Sequence, residues 1–199
     1  MNTYTIIPKT AWADVPEAEI AVPGKVSDQE IRAFFRICYD DTALYVKLRA
    51  EEKNIRATYT DAFGMPCEDS CLEFFFSPDS TRKTYFNIEM NPNCAMFLGI
   101  GEDGHHLIRL NPMSKLYDFG AETKRTDTGW ELSYRIPYAF IRFFFPEFAP
   151  APGDTMKANV YKCGDLCEKE HYLSWSPVDW TKTGGAFHNP DCFGTMVFG

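Results

Sequence analysis

Cys71-Leu72-Glu73-Phe74-Phe75-Phe76-Ser77-Pro78-Asp79 and, a few residues on, Tyr85-Phe86-Asn87-Ile88-Glu89-Met90-Asn91-Pro92-Asn93 hold the pattern on which the fold turns. Each run sets large apolar residues beside polar ones with a period close to two, and each stops at a proline-centred turn signal. The same rhythm extends both ways. Turn signals recur at Pro23-Gly24, Asp40-Asp41, Gly101-Glu102-Asp103-Gly104, Asp127-Thr128-Gly129 and Pro152-Gly153-Asp154. The runs between them predict strands at 32–39, 43–51, 71–77, 84–90, 94–100, 105–110, 118–126, 129–136, 156–163, 169–175 and 193–198. Only 138–145, after Ile136-Pro137, reads as a helix. The fold expected is all-β, an antiparallel, jelly-roll-like β-sandwich with one short helix. With no repeat or linker in sight, residues 1–199 read as a single domain.

Composition narrows the function classes. Apolar residues make up 45 % of the 199 and aromatics 16 %, with 17 Phe and 10 Tyr, enough for one substantial core. The formal charge of -8 opposes nucleic acid and anionic membrane surfaces as partners, since both need clustered Lys and Arg. A neutral ligand meets no such obstacle. Residues 1–20 carry no leader-like apolar core, and no run approaches the roughly 20 apolar residues of a membrane helix. Seven cysteines, an odd number without framework spacing, read as reduced thiols in a cytoplasmic protein. A removed leader would instead make the protein secreted.

Strand parity sorts the side chains. Leu72, Phe74 and Phe76 share one face, so Glu73 points the other way. Phe86, Ile88 and Met90 likewise leave Asn87 and Glu89 opposite, and Met156, Ala158 and Val160 leave Asn159 and Tyr161 opposite. If these strands are neighbours, one polar patch results. The plain alternative is a solvated sheet face, the default in antiparallel sandwiches. Asn and Glu are poor strand formers, however, so their alternation through Asn87-Ile88-Glu89 argues for use.

The C-terminal run adds ring faces. His171-Tyr172-Leu173-Ser174-Trp175-Ser176-Pro177, then Trp180 and Phe187-His188-Asn189-Pro190, form a proline-broken aromatic loop between two strands. Aromatic faces beside amides and carboxylates suit a sugar, whose ring offers C–H groups on one side and hydroxyls at its edge.

In the order of its elements the chain resembles the family 9 carbohydrate-binding modules. The resemblance is carried by Trp12, Tyr39-Asp40-Asp41-Thr42-Ala43-Leu44-Tyr45-Val46, the two runs quoted first, Gly129-Trp130-Glu131, Ile136-Pro137, Asn159-Val160-Tyr161-Lys162, Ser174-Trp175-Ser176-Pro177 and Phe187-His188-Asn189-Pro190 with Phe193-Gly194. It implies non-catalytic binding of a saccharide end between two tryptophans, with strand residues gripping the hydroxyls. Carried over, the grip falls on Glu73, Asn87, Glu89 and Tyr161, and an arginine is expected near Asn87. One stacking tryptophan falls at Phe187 and the other at Cys67, whose thiol offers no stacking face. Trp180 or Phe63 would then substitute, with His188 beside the ring, whereas Trp175 is expected in the core. The family also implies structural calcium, with loop 101–104 as a source of oxygen ligands.

Other chemistries weigh less. Glu73 and Glu89 on adjacent strands would have the spacing of a glycosidase pair, making a carbohydrate-active hydrolase the runner-up. A decayed sugar site kept as an interaction module is third. Cys67-x3-Cys71 and Cys163-x3-Cys167 are loose for zinc, and small buried thiols are the plainer reading. His105, His106, His171 and His188 with Met65 or Met90 offer haem-ligand atoms without an attachment motif.

Overall fold

A computed structural model describes residues 1–28, 30–114, 117–181 and 187–199. In chain order its strands are Thr3–Pro8 (β1), Ala18–Glu19 (β2), Val22–Pro23 (β3), Arg32–Tyr39 (β4), Ala43–Glu51 (β5), Cys71–Ser77 (β6) and Tyr85–Met90 (β7). Then follow Met96–Gly101 (β8), Leu107–Leu110 (β9), Glu122–Arg125 (β10), Gly129–Pro137 (β11), Thr155–Gly164 (β12), His171–Ser174 (β13) and Gly194–Phe198 (β14). The helix Tyr138–Phe144 (α1) starts directly after Pro137, whose fixed φ suits a helix entry.

Two layers face each other. One runs β9-β8-β7-β6-β12-β14-β1 and the other β1-β4-β5-β11-β10, so β1 belongs to both. Its pairings with β14 and β4 are parallel, the exception to an otherwise antiparallel ladder among the described residues. Between the layers, Phe74, Phe76, Phe86 and Ile88 meet Phe35, Leu48, Trp130 and Leu132 in one large apolar cluster, with Trp175 in it as expected. This inner face is what the parity of 71–77 and 84–90 specifies.

A charged tie crosses that core. The fully buried Lys162 ammonium lies 3.2 Å from Glu52 Oε2 and 2.7 Å from His171 Nε2, while the Trp130 indole donates to Glu52 Oε1 at 2.6 Å. Ser70 donates to the same carboxylate. A buried charge persists only when paired and hydrogen-bonded in this way.

Expected strands 32–39, 43–51 and 71–77 match the structure, and most others shift by one or two residues at an end. Two shorten for a local reason. Gly120 takes φ +52° and donates its amide to Asp118, so the strand expected from 118 begins at Glu122. Asp103 accepts from the amides of His105 and His106, so the strand expected from 105 begins at Leu107. β1 and the two-residue β2 and β3 are additions to the expected set. Among the described residues no helix is long and apolar enough to cross a membrane.

Candidate functional site

The outer face of β12-β6-β7-β8 is where the polar residues meet. Tyr161 lies opposite Glu73, Glu73 opposite Glu89, and Glu89 opposite Phe97, giving one row across four strands. The next row runs Asn159, Phe75, Asn87, Gly99 and Arg109. The patch expected from parity therefore forms, because the three strands are neighbours. It is not the solvated face of an ordinary sandwich. Loops fold over it, and Glu73, Asn87, Glu89, Asn159 and Tyr161 are all buried.

Above Glu73 and Glu89 the loops leave a cleft of about 270 Å³. That is near the lower end of ligand pockets, roughly 300–1,000 Å³, and fits a small ring better than a large flat ligand. Its aromatic wall is Phe97, Tyr172, Trp180 and Phe187, and Cys67, Cys163, Asp165 and His188 are among its other lining residues. Clefts of similar or larger volume exist beside Phe145 and beside Ile20, but neither is lined by a buried carboxylate oxygen without a partner among the described residues. Chemistry rather than size therefore selects the site.

The electrostatics of the floor follow from burial. Desolvation pushes the Glu73 carboxyl well above the usual carboxylate range, and the facing Glu89 adds to the shift. Glu89 is raised to about 7 by desolvation, opposed by the hydrogen bond from Asn87 Nδ2 at 2.9 Å. Glu73 accepts from the Cys163 thiol at 2.8 Å. Glu89 Oε2 and Asn87 Oδ1 are buried and, among the described residues, have no hydrogen-bond partner. An unpaired buried acceptor costs roughly 1–3 kcal/mol, so two side by side call for an outside donor.

The other expected residues divide into those on the cleft wall and those that support it. Trp180 is half-buried on the wall and touches Tyr172 and Phe187 at centroid distances of 5.8 and 5.5 Å. His188 is also on the wall. Burial lowers its pKa to about 4, so it is neutral at pH 7, and its Nδ1 is hydrogen-bonded to the Tyr85 hydroxyl at 2.8 Å. Phe187 was expected as an exposed stacking face. It is instead 7 % exposed, with one ring face stacked on Tyr161 at 3.9 Å and 11°. Only its remaining surface meets the cleft. Tyr161 was expected to offer its phenol outward; its hydroxyl donates to the Phe187 carbonyl at 3.0 Å, so it holds Phe187 in place. Phe63 is 74 % exposed and lies off the cleft wall. Asn159 is absorbed structurally, bonding the Ser176 backbone through both ends of its amide.

Sequence reasoning missed Phe97, Asp165 and Cys163 as wall residues and met Tyr172 only as part of the C-terminal aromatic run. Met96-Phe97-Leu98 is continuously apolar and hides the parity of Phe97. The signal was Gly99 and Gly101, which share its face; a Cβ on Gly101 would fall 2.2 Å from the His106 carbonyl oxygen. Two strands from Asn87 in the same row stands Arg109. Its guanidinium sits 4.5 Å from the Phe97 ring and donates to the carbonyls of Ala62 and Gly64.

In loop 101–104, named for calcium, Asp103 is turned onto the amides of His105 and His106 and the His106 ring, so its oxygens are committed. Cys71 and Cys163, one from each sequence-adjacent cysteine pair, meet across β6 and β12 beside Glu73, and all seven cysteines are free.

Comparisons with known proteins agree with this fold. No curated protein sequence matches the chain. A candidate carbohydrate-binding protein of Bacteroides uniformis superposes with TM-score 0.77 at 24 % identity, covering 99 % of both chains. A family 9 carbohydrate-binding module of Caldicellulosiruptor kristjanssonii in complex with glucose superposes with TM-score 0.69 at 15 % identity, covering 100 % of this chain and 96 % of the other. The same module with cellotriose gives 0.69 and 15 %, covering 99 % and 93 %. At these identities the superpositions establish the fold. The sequence itself matches the profile of carbohydrate-binding family 9 over residues 28–198, most of its length. The chain belongs to carbohydrate-binding family 9.

Proposed function

We propose that the cleft above Glu73 and Glu89 binds the end of a saccharide without cleaving it. The observation that carries this reading is the unpartnered buried acceptor Glu89 Oε2 on the floor of the cleft beneath an aromatic wall, with a second such acceptor, Asn87 Oδ1, buried beside it off the cleft lining. Sugar hydroxyls are donors of the kind those atoms lack, and Trp180 and Phe97 offer ring surface to the C–H side of a pyranose. Family membership and the glucose and cellotriose complexes of the Caldicellulosiruptor module support the same ligand class.

Net hydrogen bonds of about 1 kcal/mol each, with stacking of about 0.5–1.5 kcal/mol, less the cost of association, set the affinity between micromolar and millimolar. A glycan array followed by calorimetry with glucose and cellotriose tests the reading. Saturable binding that weakens in Glu89→Gln supports it, and no binding to any glycan overturns it.

The hydrolase reading has one point in its favour, since Glu73 and Glu89 face each other directly. A retaining pair, however, needs one carboxylate ionised as nucleophile while the other stays protonated. Here burial raises both. Release of reducing sugar from any bound glycan would reinstate the enzyme. Seven free cysteines suit a reducing compartment, in keeping with a cytoplasmic location.

A further inference from the structure

We propose that Cys71, Cys163 and Glu73 form a site for a soft divalent cation of the zinc type at the base of the cleft. Their ligand atoms lie within 4.8 Å of one another, and all three side chains are buried. The grouping is built into the sheet. Cys163 is in register with Cys71 across β12 and β6, and Glu73 projects from the same face two residues along. Alternation on one strand and register between two fix the three donors with no loop involved.

The geometry is close to what such an ion takes. With bonds of about 2.3 Å to sulfur and about 2.1 Å to oxygen, tetrahedral ligand atoms stand roughly 3.5–3.8 Å apart. Rotamer adjustments of about 1 Å would bring the three donors to that spacing. The Cys163 thiol already points at Glu73 Oε1, which shows that both side chains reach one point. Two further observations favour an ion. Glu89, directly opposite Glu73, carries a buried oxygen with no partner among the described residues. Cys67 adds a third thiol on the cleft wall, and its backbone carbonyl accepts the Cys163 thiol at 3.6 Å.

Without an ion, burial holds the Cys71 and Cys163 thiols above their ordinary pKa, so they are protonated at pH 7. Binding would then release one proton from each thiol and a further one from Glu73 wherever burial keeps its carboxyl protonated, and leave two thiolates and a carboxylate around the dication. Lys162 lies close enough to favour the ionised forms of Cys71 and Glu73. Because Glu73 would serve both ion and sugar, zinc and saccharide should compete. That second statement rests on the saccharide reading; the metal site itself does not.

Zinc titration of the reduced protein, and cobalt substitution read by the thiolate-to-metal charge-transfer band, test the site directly. One zinc per chain and a cobalt–thiolate band are expected. Loss of an outer partner of a metal ligand typically costs 10–100-fold, so Cys71→Ser and Cys163→Ser should each weaken binding by about 100-fold or more. Cys94→Ser, in the turn between β7 and β8, should leave it unchanged. Glu73→Gln conserves shape and guards against a cysteine variant that fails to fold; it should lose zinc affinity while keeping the native circular dichroism. Zinc binding that is absent, or indifferent to Cys163→Ser and Glu73→Gln alike, overturns the site. So does a Cys71–Cys163 disulfide that forms in air with zinc present, seen as a loss of two hydrogens by mass. Unaltered glucose affinity on zinc-loaded protein overturns the competition alone, and a protein that binds no sugar still reports on the metal.

Discussion

Both faces of the β12-β6-β7-β8 sheet are buried, by opposite chemistry. The inner face carries Phe74, Phe76, Phe86 and Ile88, which ask only for contact and receive it from the second layer. The outer face carries two carboxylates, the amides of Asn87 and Asn159 and two thiols, amid an aromatic cluster that includes Phe75, Tyr85, Tyr161 and Phe187. Inside, Phe74, Phe76, Phe86 and Ile88 are satisfied by packing alone. Outside, Glu89 and Asn87 retain acceptors with no donor among the described residues. A sheet face that is dry, polar and incompletely bonded lowers stability, and the structure holds that cost where a cleft opens. The contrast separates residues kept for the fold from residues kept for the ligand.

The sharpest division should come from Phe74→Ala on the inner face. Removing a fully buried phenyl costs about 3–5 kcal/mol, and urea denaturation should show that loss. A change below about 1 kcal/mol would mean the inner face is not the structural one.

The outer face should announce itself through pH. The folded pKa of Glu89 is raised to about 7 from an ordinary 4.5, so the folded state holds its proton more tightly. Its contribution is therefore full below about pH 4.5 and is lost as pH climbs through 7, and Glu73 acts in the same direction. The urea midpoint should fall between pH 5 and pH 8 by the equivalent of about 1–3 kcal/mol, less so in Glu89→Gln. Asp103, held at about 2 by its bonds from His106 and the backbone, acts below this window.

Binding should move the other way. Sugar hydroxyls favour ionised Glu89, so glucose affinity should rise with pH through about 7. Glu89→Gln should flatten that profile and weaken binding about tenfold, the size of one charge-assisted hydrogen bond. Calorimetry at pH 6 and pH 8 checks both. A Glu89→Gln variant with native affinity at every pH would place the ligand elsewhere.

The smallest effect is expected at the wall. Trp180→Ala should weaken sugar binding about 2–10-fold, with stability lowered by less than about 1 kcal/mol, because the ring is half-buried. Equal losses of stability and affinity would assign Trp180 to the fold.

Much of this division was legible in the sequence. Parity placed Glu73, Asn87, Glu89 and Tyr161 on one face because a strand alternates strictly, and no bulge intervenes in β6, β7 or the paired part of β12. The burial of that face was not legible, since it depends on loops arriving from residues far along the chain. For the same reason the free stacking face that the resemblance implies at Phe187 was not to be had, because Tyr161, 26 residues earlier, covers one side of the ring. Phe97 was hidden in an unbroken apolar run. β1 was missed for want of a local partner: Tyr4 and Ile6 do point inward in alternation, but both its pairings are parallel and distant. The meeting of Cys71 with Cys163 is a fact of register, which spacing along the chain does not encode.

The parallel pairing of β1 with β14 has a mechanical consequence. Thr3 lies beside Thr195 and Ile6 beside Phe198, so the first residues leave the pair at one end and the last at the other. Tension applied through the two ends of the chain would slide these strands lengthwise and strain their rungs together, not peel them apart one by one. Such a shear clamp resists pulling far better than a zipper does.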